Sequence, residues 1–231
     1  MVTGLLFSGG MDSTILLREL LRHDGQVQPF YVRAGLQWET AELVAAGRVL
    51  QAMRSPQLRS LVTLQMPVSE LHADHWSVTG VNVPGPATSD DAVFLPGRNG
   101  LLLYKAAVWC QLNGIERLAL GVLAANPFRD ARGEFFERLE QTLNAGMLPS
   151  IRIVRPLARL TKQQIMQRAS GIPLEMTFSC LAPAGNLHCG RCNKCAERHR
   201  AFRDAGRSDQ TEYMVKSTLE ADGVRKLEQV I

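Results

Sequence analysis

The stretch LLFSGGMDSTILLRELL, residues 5–21, decides the fold class of this chain. The stretch begins within a short apolar run, residues 3–7, of the kind that forms a buried strand. After the glycines, apolar residues return at the spacing of an amphipathic helix that ends near Gly25, namely Ile15, Leu16, Leu20 and Leu21. A strand that leads into a helix through a tight turn is the first half of a βαβ unit. We therefore predict that the chain begins with such a unit.

The turn between this strand and helix has the features of an anion site. Gly9 and Gly10 lack a Cβ atom, so the backbone can adopt positive φ and an anion can approach it closely. The free N–H groups at the start of the helix would face that anion, together with the hydroxyls of Ser8, Ser13 and Thr14. The turn is therefore predicted to bind phosphate, with an ordinary glycine turn as the alternative.

Asp12 places a carboxylate in this predicted phosphate site. The negative charge would repel a phosphate unless a cation or a capping role absorbs it, which predicts Mg²⁺ nearby. The stretch matches neither the Walker sequence nor the dinucleotide-binding sequence. It therefore indicates a phosphate site of another type.

Composition limits the classes of protein that the chain can represent. Its 231 residues are 45% hydrophobic, which is enough for one domain, or for one domain with a small appendage. We find no apolar run of membrane-spanning length and no secretory signal, so we expect a cytoplasmic protein with no membrane partner. A net charge of +4 suits anionic substrates such as nucleotides and gives little support for a nucleic-acid partner.

The rest of the chain alternates strand-like runs with helical patterns. The runs are residues 26–35, 58–66, 117–123 and 151–157, and the helical patterns are residues 40–53, 98–114, 134–146 and 161–171. This alternation predicts an α/β fold with an open, mostly parallel sheet and helices on both faces. Ligands of such sheets bind at the carboxyl ends of the strands, where Ser8, Arg33 and Gly121 would meet. Leu43, Val44 and Leu50 are expected to face the sheet.

Two further signals organise the chain. Periodicity fails over residues 69–97, which are rich in glycine and proline, so a long loop or lid over the nucleotide site is predicted. Thr161 and Gln164 form the pattern of a helix capping box. We divide the chain into an α/β domain at residues 1–175, which includes the lid, and a metal-binding segment with a helix at residues 176–231.

Four of the five cysteines, Cys180, Cys189, Cys192 and Cys195, lie within sixteen residues. Their spacing suits a tetrahedral four-thiolate zinc site, which has no open position and is therefore structural. An iron–sulfur cluster uses the same ligands and is the alternative. His188 and His199 are interpreted as hydrogen-bonding or surface residues, and Cys110 as a buried thiol.

The first turn resembles the SGGxDS loop of the N-type ATP pyrophosphatases, which split ATP between the α and β phosphates to adenylate a substrate. The resemblance implies ATP as the nucleotide and catalytic roles for Asp12 and Ser13. The ATP-binding residues that it implies in the turn are Ser8, Gly9, Gly10, Met11, Asp12, Ser13 and Thr14, and we add Arg33 at the end of the second strand.

With the cysteine pattern, three further segments make the chain resemble the 7-cyano-7-deazaguanine synthase family. They are FLPGRN at 94–99, PLARLTKQQI at 156–165 and CGRCNKCAERHRAF at 189–202. The resemblance implies that Arg98 and Asn99 lie near the nucleotide and that Lys162 contacts phosphate. A solvated lysine is the alternative for Lys162. Arg198 is carried by the same match, with a structural pair as its alternative.

Two segments depart from the family pattern. Residues 33–39 keep a glycine but lose the tyrosine and basic pair that the family has there. In residues 128–136 the family's tyrosine and cysteine are missing, although Asp130 and Arg132 hold their places. The resemblance assigns these two residues to the acceptor, and Arg132 would suit a planar carboxylate through paired hydrogen bonds.

The reaction that the resemblance implies converts 7-carboxy-7-deazaguanine to the nitrile with ATP and ammonia. The departures leave open a relative that adenylates another carboxylate or transfers the acyl group to another amine. Transfer of sulfur to tRNA and a non-catalytic nucleotide-binding role are further alternatives. For assembly, Phe135, Phe136 and the cysteine segment are candidates for a homodimer surface.

Overall fold

The computed structural model describes residues 1–23 and 25–215. The last part of the predicted C-terminal segment, residues 216–231, lies outside the described residues. Among the described residues, no helix has the length and apolar composition needed to cross a membrane.

The described strands form one five-stranded sheet. In chain order they are β1 (Val2–Leu6), β2 (Gln26–Arg33), β3 (Val62–Gln65), β4 (Arg117–Ala119) and β5 (Arg152–Val154). Their spatial order is β3-β2-β1-β4-β5, and each neighbouring pair is parallel. The predicted α/β fold with a parallel sheet is confirmed, and the carboxyl ends of β1, β2 and β4 lie side by side.

Helices connect and cover the strands. They are α1 (Met11–His23), α2 (Glu39–Ala52), α3 (Trp76–Thr79), α4 (Arg98–Leu112), α5 (Gly133–Gly146), α6 (Lys162–Gln167) and α7 (Asn193–Asp204). The capping box at α6 is confirmed, since the Thr161 hydroxyl accepts from the Gln164 N–H and the Gln164 side chain accepts from the Thr161 N–H. The helix itself is shorter than the pattern predicted and ends before Gly171.

Alternate residues of the central strands feed two hydrophobic clusters on opposite faces of the sheet. One cluster contains Leu5 of β1 together with residues of α1, α6 and α7, including Leu16, Ile165 and Phe202. The other contains Phe30 of β2 with residues of α4 and α5, including Leu103, Phe136 and Leu143. Because α7 contributes to the first cluster, the part of the C-terminal segment that is described packs into the same core as the α/β domain.

The predicted inward face of α2 is wrong for Val44, whereas Leu50 packs against the first hydrophobic cluster. Val44 is exposed, and Leu43 and Leu50 are only partly buried. The buried residues of α2 are Glu39, Ala41, Glu42, Ala45, Ala46 and Val49. Small side chains on this face let the α2 backbone approach the β1–α1 turn, which the larger leucines would prevent.

The proposed dimer role of Phe136 is also wrong, because its side chain is buried in the core between α5 and the sheet. The guanidinium of Arg155 lies 4.8 Å from the centre of the Phe136 ring. Phe135 is partly buried, so the described structure leaves no exposed phenylalanine pair on this helix.

Residues 69–97 are mostly irregular, as predicted, with the short α3 and a 3₁₀ turn at Asp90–Val93. They contact the cysteine segment: Trp76, Val93 and Leu95 pack in a third cluster with its cysteines. Asn193 donates its N–H to the Pro84 carbonyl over 2.8 Å and its side chain to the Thr88 carbonyl over 2.9 Å. This long loop is therefore tied to the start of α7, and its action as a lid stays a prediction.

We expect Gly9→Ala to destabilise the protein more than the matched change Gly171→Ala. Both glycines have positive φ, +74° and +70°, so each alanine carries a backbone cost of about 1–2 kcal/mol. A Cβ at Gly9 would also lie 2.8 Å from the Ala46 backbone, whereas nothing lies within 4 Å of a Cβ at Gly171. Forcing α2 outward should add about 1–3 kcal/mol. Denaturant unfolding measures both variants, and equal losses of stability would contradict the close contact.

Candidate active site

A cavity of about 350 Å³ opens at the carboxyl ends of β1, β2 and β4. Its walls come from the start of α1, from α2, from the long loop, from the start of α4 and from the cysteine segment. This is the position expected for the ligand of a parallel α/β sheet, and the volume is that of a small-molecule site. Most of the residues predicted for nucleotide and acceptor meet here.

The β1–α1 turn forms one end of the cavity. The Ser8 hydroxyl accepts from the Gly10 N–H over 3.2 Å and lies 3.3 Å from the Ser13 hydroxyl, which in turn donates to the Gly10 carbonyl. The Gly9 carbonyl accepts from the Phe178 N–H over 2.9 Å, so the cysteine segment holds the turn from outside. The turn is therefore closed by hydrogen bonds between its own residues, with the Ser8 and Ser13 side chains at the cavity.

Five of the seven predicted residues of this turn line the cavity: Ser8, Gly10, Met11, Asp12 and Ser13. Gly9 does not, because it packs against Ala46 of α2. Thr14 is also outside the lining, and its hydroxyl is buried without a hydrogen-bond partner among the described residues. Gly9 and Thr14 therefore belong to the part of the turn that does not line the cavity.

Lys162 lies where a phosphate contact was predicted. Its ammonium donates to both carboxylate oxygens of Asp12, over 2.7 and 2.9 Å, and lies 3.3 Å from Glu197. Glu197 also pairs with Lys194 at 2.5 Å. Burial alone would lower the pKa of Lys162, but the Asp12 and Glu197 carboxylates outweigh it and raise that pKa. Lys162 therefore stays charged beside the turn.

Two further charged residues, Glu197 and Lys194, line the cavity from α7, and neither was predicted as a site residue. Burial would raise the pKa of Glu197, yet the charges of Lys162 and Lys194 lower it to about 2, so the group is ionised. The signal was present in the sequence, because both residues belong to the cysteine-rich segment 189–202. Lys194 lies between Cys192 and Cys195, and Glu197 follows two residues later on the same helix. Only the fold shows that this helix start faces the β1–α1 turn.

Arg98 and Asn99 lie at the start of α4 and line the cavity, and their place near the nucleotide stays a prediction. The Asn99 N–H donates to the Asp130 carboxylate over 3.2 Å, and the Asn99 side chain donates to the Asp130 carbonyl over 3.1 Å. Burial raises the pKa of Asp130 against the opposing effects of these bonds and of the nearby Arg98 charge. Arg98, Asn99 and Asp130 thus form a second polar group in the cavity, built from segments that lie far from the β1–α1 turn along the chain.

Glu42 and Tyr31 were also missed. The Tyr31 hydroxyl donates to Glu42 Oε2 over 2.7 Å, and both side chains are buried where they line the cavity. Burial raises the pKa of Glu42 to about 7, with Arg98 and Tyr31 opposing the rise. Burial and the neighbouring Glu42 also raise the pKa of Tyr31, so its hydroxyl stays a donor. The missed signal was an acidic residue on the buried stripe of α2.

Besides Gly9 and Thr14, two further predicted site residues, Arg33 and Arg132, do not line the cavity. The Arg33 guanidinium lies 3.6 Å from the Glu39 carboxylate, which accepts from the N–H groups of Ala34 and Gly35 and so holds the turn after β2. Arg132 is exposed at the start of α5. The structure thus brings Asp130 to the cavity without Arg132.

The four clustered cysteines are buried, and their sulfur atoms all lie within 4.8 Å of one another. Three sulfur pairs are 3.5 to 3.9 Å apart. A tetrahedral shell with metal–sulfur bonds of about 2.3 Å has sulfur–sulfur edges of about 3.8 Å, so the group fits a four-thiolate metal site. Backbone N–H groups of Leu181, Cys189 and Arg191 donate to these sulfurs.

The other residues near the cluster have structural partners. His188 is buried and its Nε2 accepts from the Ser179 N–H over 3.2 Å, which agrees with a hydrogen-bonding role. Nδ1 of His199 lies 3.5 Å from the Asp209 carboxylate. The fully buried Arg198 donates to the Thr177 and Thr211 hydroxyls and to the Leu174 carbonyl, so it ties α7 to its neighbours.

Comparison with known proteins shows similarity over most of the chain to 7-cyano-7-deazaguanine synthases. The 7-cyano-7-deazaguanine synthase 1 of Desulfitobacterium hafniense (strain Y51) is 32% identical over 203 residues, covering 86% of this chain and 90% of that protein. The 7-cyano-7-deazaguanine synthase of Methanothrix thermoacetophila is 32% identical over 222 residues, covering 90% of this chain and 96% of that protein.

A solved structure, the U34-tRNA thiolase NcsA from Methanococcus maripaludis with its [4Fe-4S] cluster, superposes with a TM-score of 0.50. The match covers 100% of this chain and 74% of that chain at 11% identity, which supports the fold alone. Residues 3–206 match the family described as queuosine biosynthesis protein QueC. With this match and relatives at 32% identity over most of its length, the chain belongs to the QueC family.

Proposed function

We propose that this protein is an ATP-dependent ligase that adenylates 7-carboxy-7-deazaguanine and converts the carboxylate with ammonia to an amide and then a nitrile. One observation carries the proposal: a single cavity joins the β1–α1 turn and Lys162 to a separate polar group at Arg98, Asn99 and Asp130. The names of the curated relatives support the product.

The chemistry explains why ATP is needed. Ammonia cannot displace oxide from a carboxylate, because oxide is too poor a leaving group. Attack of a carboxylate oxygen on the α-phosphorus breaks the bond to the β-phosphate, releases pyrophosphate and leaves an acyl-adenylate. Ammonia then adds to the acyl carbon and AMP departs with that oxygen, which gives the amide. Activation of the amide oxygen by a second ATP allows its loss as another AMP and leaves the nitrile.

The residues of the turn supply positive potential for the first step. The N–H groups of the turn and of the α1 N-terminus would bind the departing pyrophosphate, and Lys162 adds a full charge beside them. The Lys162 ammonium already balances the charge of the Asp12 carboxylate, so Mg²⁺ is proposed here for the phosphates of ATP and not to neutralise Asp12. Bound Mg²⁺ would neutralise phosphate charge. The Glu197 carboxylate is the second partner of the Lys162 ammonium and would help to position it.

The acceptor end, as we define it, is the part of the cavity lined by Arg98, Asn99 and Asp130, which would bind the acceptor. The Asn99 N–H holds the Asp130 carboxylate by a hydrogen bond, and Arg98 contributes positive charge near that carboxylate. Arg132 is exposed near this end and would reach an acceptor only after a change of its own side-chain position. Transfer of the acyl group to another amine uses the same adenylate and is the second candidate function.

Sulfur transfer receives less support from the cysteines. Burial raises the pKa of the Cys110 thiol to about 12, so it is not an accessible thiolate. The other four cysteines converge as one metal-binding group. We propose that this group holds structural Zn²⁺, since four thiolates close its shell and leave no position for a substrate.

The proposed reaction predicts AMP that depends on the acceptor. Incubation of the protein with ATP, Mg²⁺, ammonium and 7-carboxy-7-deazaguanine should yield AMP, pyrophosphate, amide and nitrile, identified by mass spectrometry. Lys162→Met removes the charge but keeps the apolar stem, so AMP formation should fall by about a hundredfold. Lys105→Met, at an exposed position of α4, is the matched control and should retain activity. AMP formation that ignores the acceptor would contradict the proposal.

The metal proposal predicts about one zinc ion per purified chain and no visible absorbance. Cys189→Ser should lose the metal, because it removes one of the four converging thiolates. The control Cys110→Ala changes a buried cysteine outside the cluster and should keep the metal. Elemental analysis by mass spectrometry measures both, and stoichiometric iron with broad visible absorbance would overturn zinc.

A further inference from the structure

Three charged groups from different elements meet at the acceptor end of the cavity. Glu42 comes from α2, Arg98 from the start of α4, and Asp130 from the 3₁₀ turn Arg129–Ala131 before α5. The Arg98 charge acts on both carboxyl groups and on the Tyr31 phenol, so one guanidinium lies near all three. All of them line the same cavity.

These groups keep unused hydrogen-bonding capacity. Asp130 Oδ1 and Arg98 Nε are buried atoms without a hydrogen-bond partner among the described residues. Asp130 and Glu42 are only 8% and 9% exposed. The Tyr31 hydroxyl uses one oxygen of Glu42, and no hydrogen bond to the other oxygen is found within residues 1–23 and 25–215. Because unpaired polar atoms are costly to bury, this arrangement points to a ligand that completes it.

The surrounding walls are flat and aromatic. Phe94 and Phe128 line the cavity with ring centres 5.2 Å apart, and Trp38 and Trp76 line it as a stacked pair with centres 5.7 Å apart. Aromatic walls suit a planar heterocycle, whose edge is then left for polar recognition. Two carboxyl groups accept from N–H donors, and one guanidinium donates to a carbonyl oxygen.

We propose that Glu42, with Asp130 and Arg98, binds the 2-amino-4-oxopyrimidine edge of the acceptor, the carboxylates accepting from its N–H groups and the guanidinium donating to its carbonyl oxygen. The inference rests on the proposed function for the identity of the acceptor. It makes Glu42 a specificity-determining residue. The phosphates of ATP are assigned to the β1–α1 turn and Lys162, so Glu42 is not expected to hold them.

Two heterocycles that differ only at this edge test the assignment. 7-Deazaguanine carries the carbonyl, ring N–H and amino groups, whereas 7-deazaadenine has an amino group and a ring nitrogen acceptor. Neither has a carboxylate, so neither can be adenylated, and equilibrium dialysis without ATP measures binding alone. The wild type should prefer 7-deazaguanine by at least about tenfold, because the wrong edge leaves both carboxyl groups unpaired.

Glu42→Gln should weaken 7-deazaguanine binding by about tenfold to a hundredfold, the usual effect of losing a charged hydrogen bond. The amide keeps an acceptor for the Tyr31 hydroxyl. ATP affinity should change by less than about twofold, and Glu134→Gln, the same change at an exposed position of α5, should alter neither ligand. Asp130→Asn is the second variant and should also weaken 7-deazaguanine binding. Thermal unfolding checks that each variant is folded.

The pH profile separates recognition from a structural role. The groups that face Glu42 are Tyr31 from β2, Arg98 from α4 and Glu39 of its own helix. Burial raises the pKa of Glu42 to about 7, so its carboxylate form grows as pH rises through that value. Wild-type affinity for 7-deazaguanine should therefore increase between about pH 6 and pH 8, whereas Glu42→Gln should show a flatter profile.

Equal binding of the two heterocycles by the wild type would overturn the inference. So would a Glu42→Gln variant that binds 7-deazaguanine like the wild type, or one that loses ATP affinity to the same extent. The proposed function fails by a different result, the absence of acceptor-dependent AMP. The two failures are distinguishable, because the dialysis contains no ATP and the AMP assay uses the carboxylated substrate.

Discussion

One ammonium group holds the candidate active site together. Lys162, at the start of α6, is bound by Asp12 of α1 and lies 3.3 Å from Glu197 of α7. The three residues are far apart in the chain, and their partly buried side chains balance one another's charge. The pairing therefore holds the β1–α1 turn against α7 and keeps a positive charge where the phosphates of ATP are proposed to bind.

The cysteine cluster gives this arrangement its rigidity. Cys192 and Cys195 lie at the start of α7, and the same helix start presents Lys194 and Glu197 to the cavity. The Phe178 N–H, two residues before Cys180, holds the Gly9 carbonyl. A metal bound by the four thiolates would thus set the position of groups at the nucleotide without taking part in the reaction.

Local chemistry decided what could be read from the sequence. The glycine turn, the capping box at Thr161 and the cysteine spacing each depend on near neighbours in the chain, and all three led to the observed elements. The buried face of α2 and the burial of Phe136 depend on packing between distant elements, and there the predictions were wrong. Glu42 and Glu197 escaped notice for the same reason.

The proposed reaction requires that the acceptor carboxylate attacks the α-phosphorus of ATP. Labelling both carboxylate oxygens of 7-carboxy-7-deazaguanine with ¹⁸O tests it most directly. Mass spectrometry of the products should find one ¹⁸O atom in each AMP and none in pyrophosphate, because the activated oxygen leaves with the adenylate. Unlabelled AMP, or ¹⁸O in pyrophosphate or inorganic phosphate, would contradict adenylation of the carboxylate.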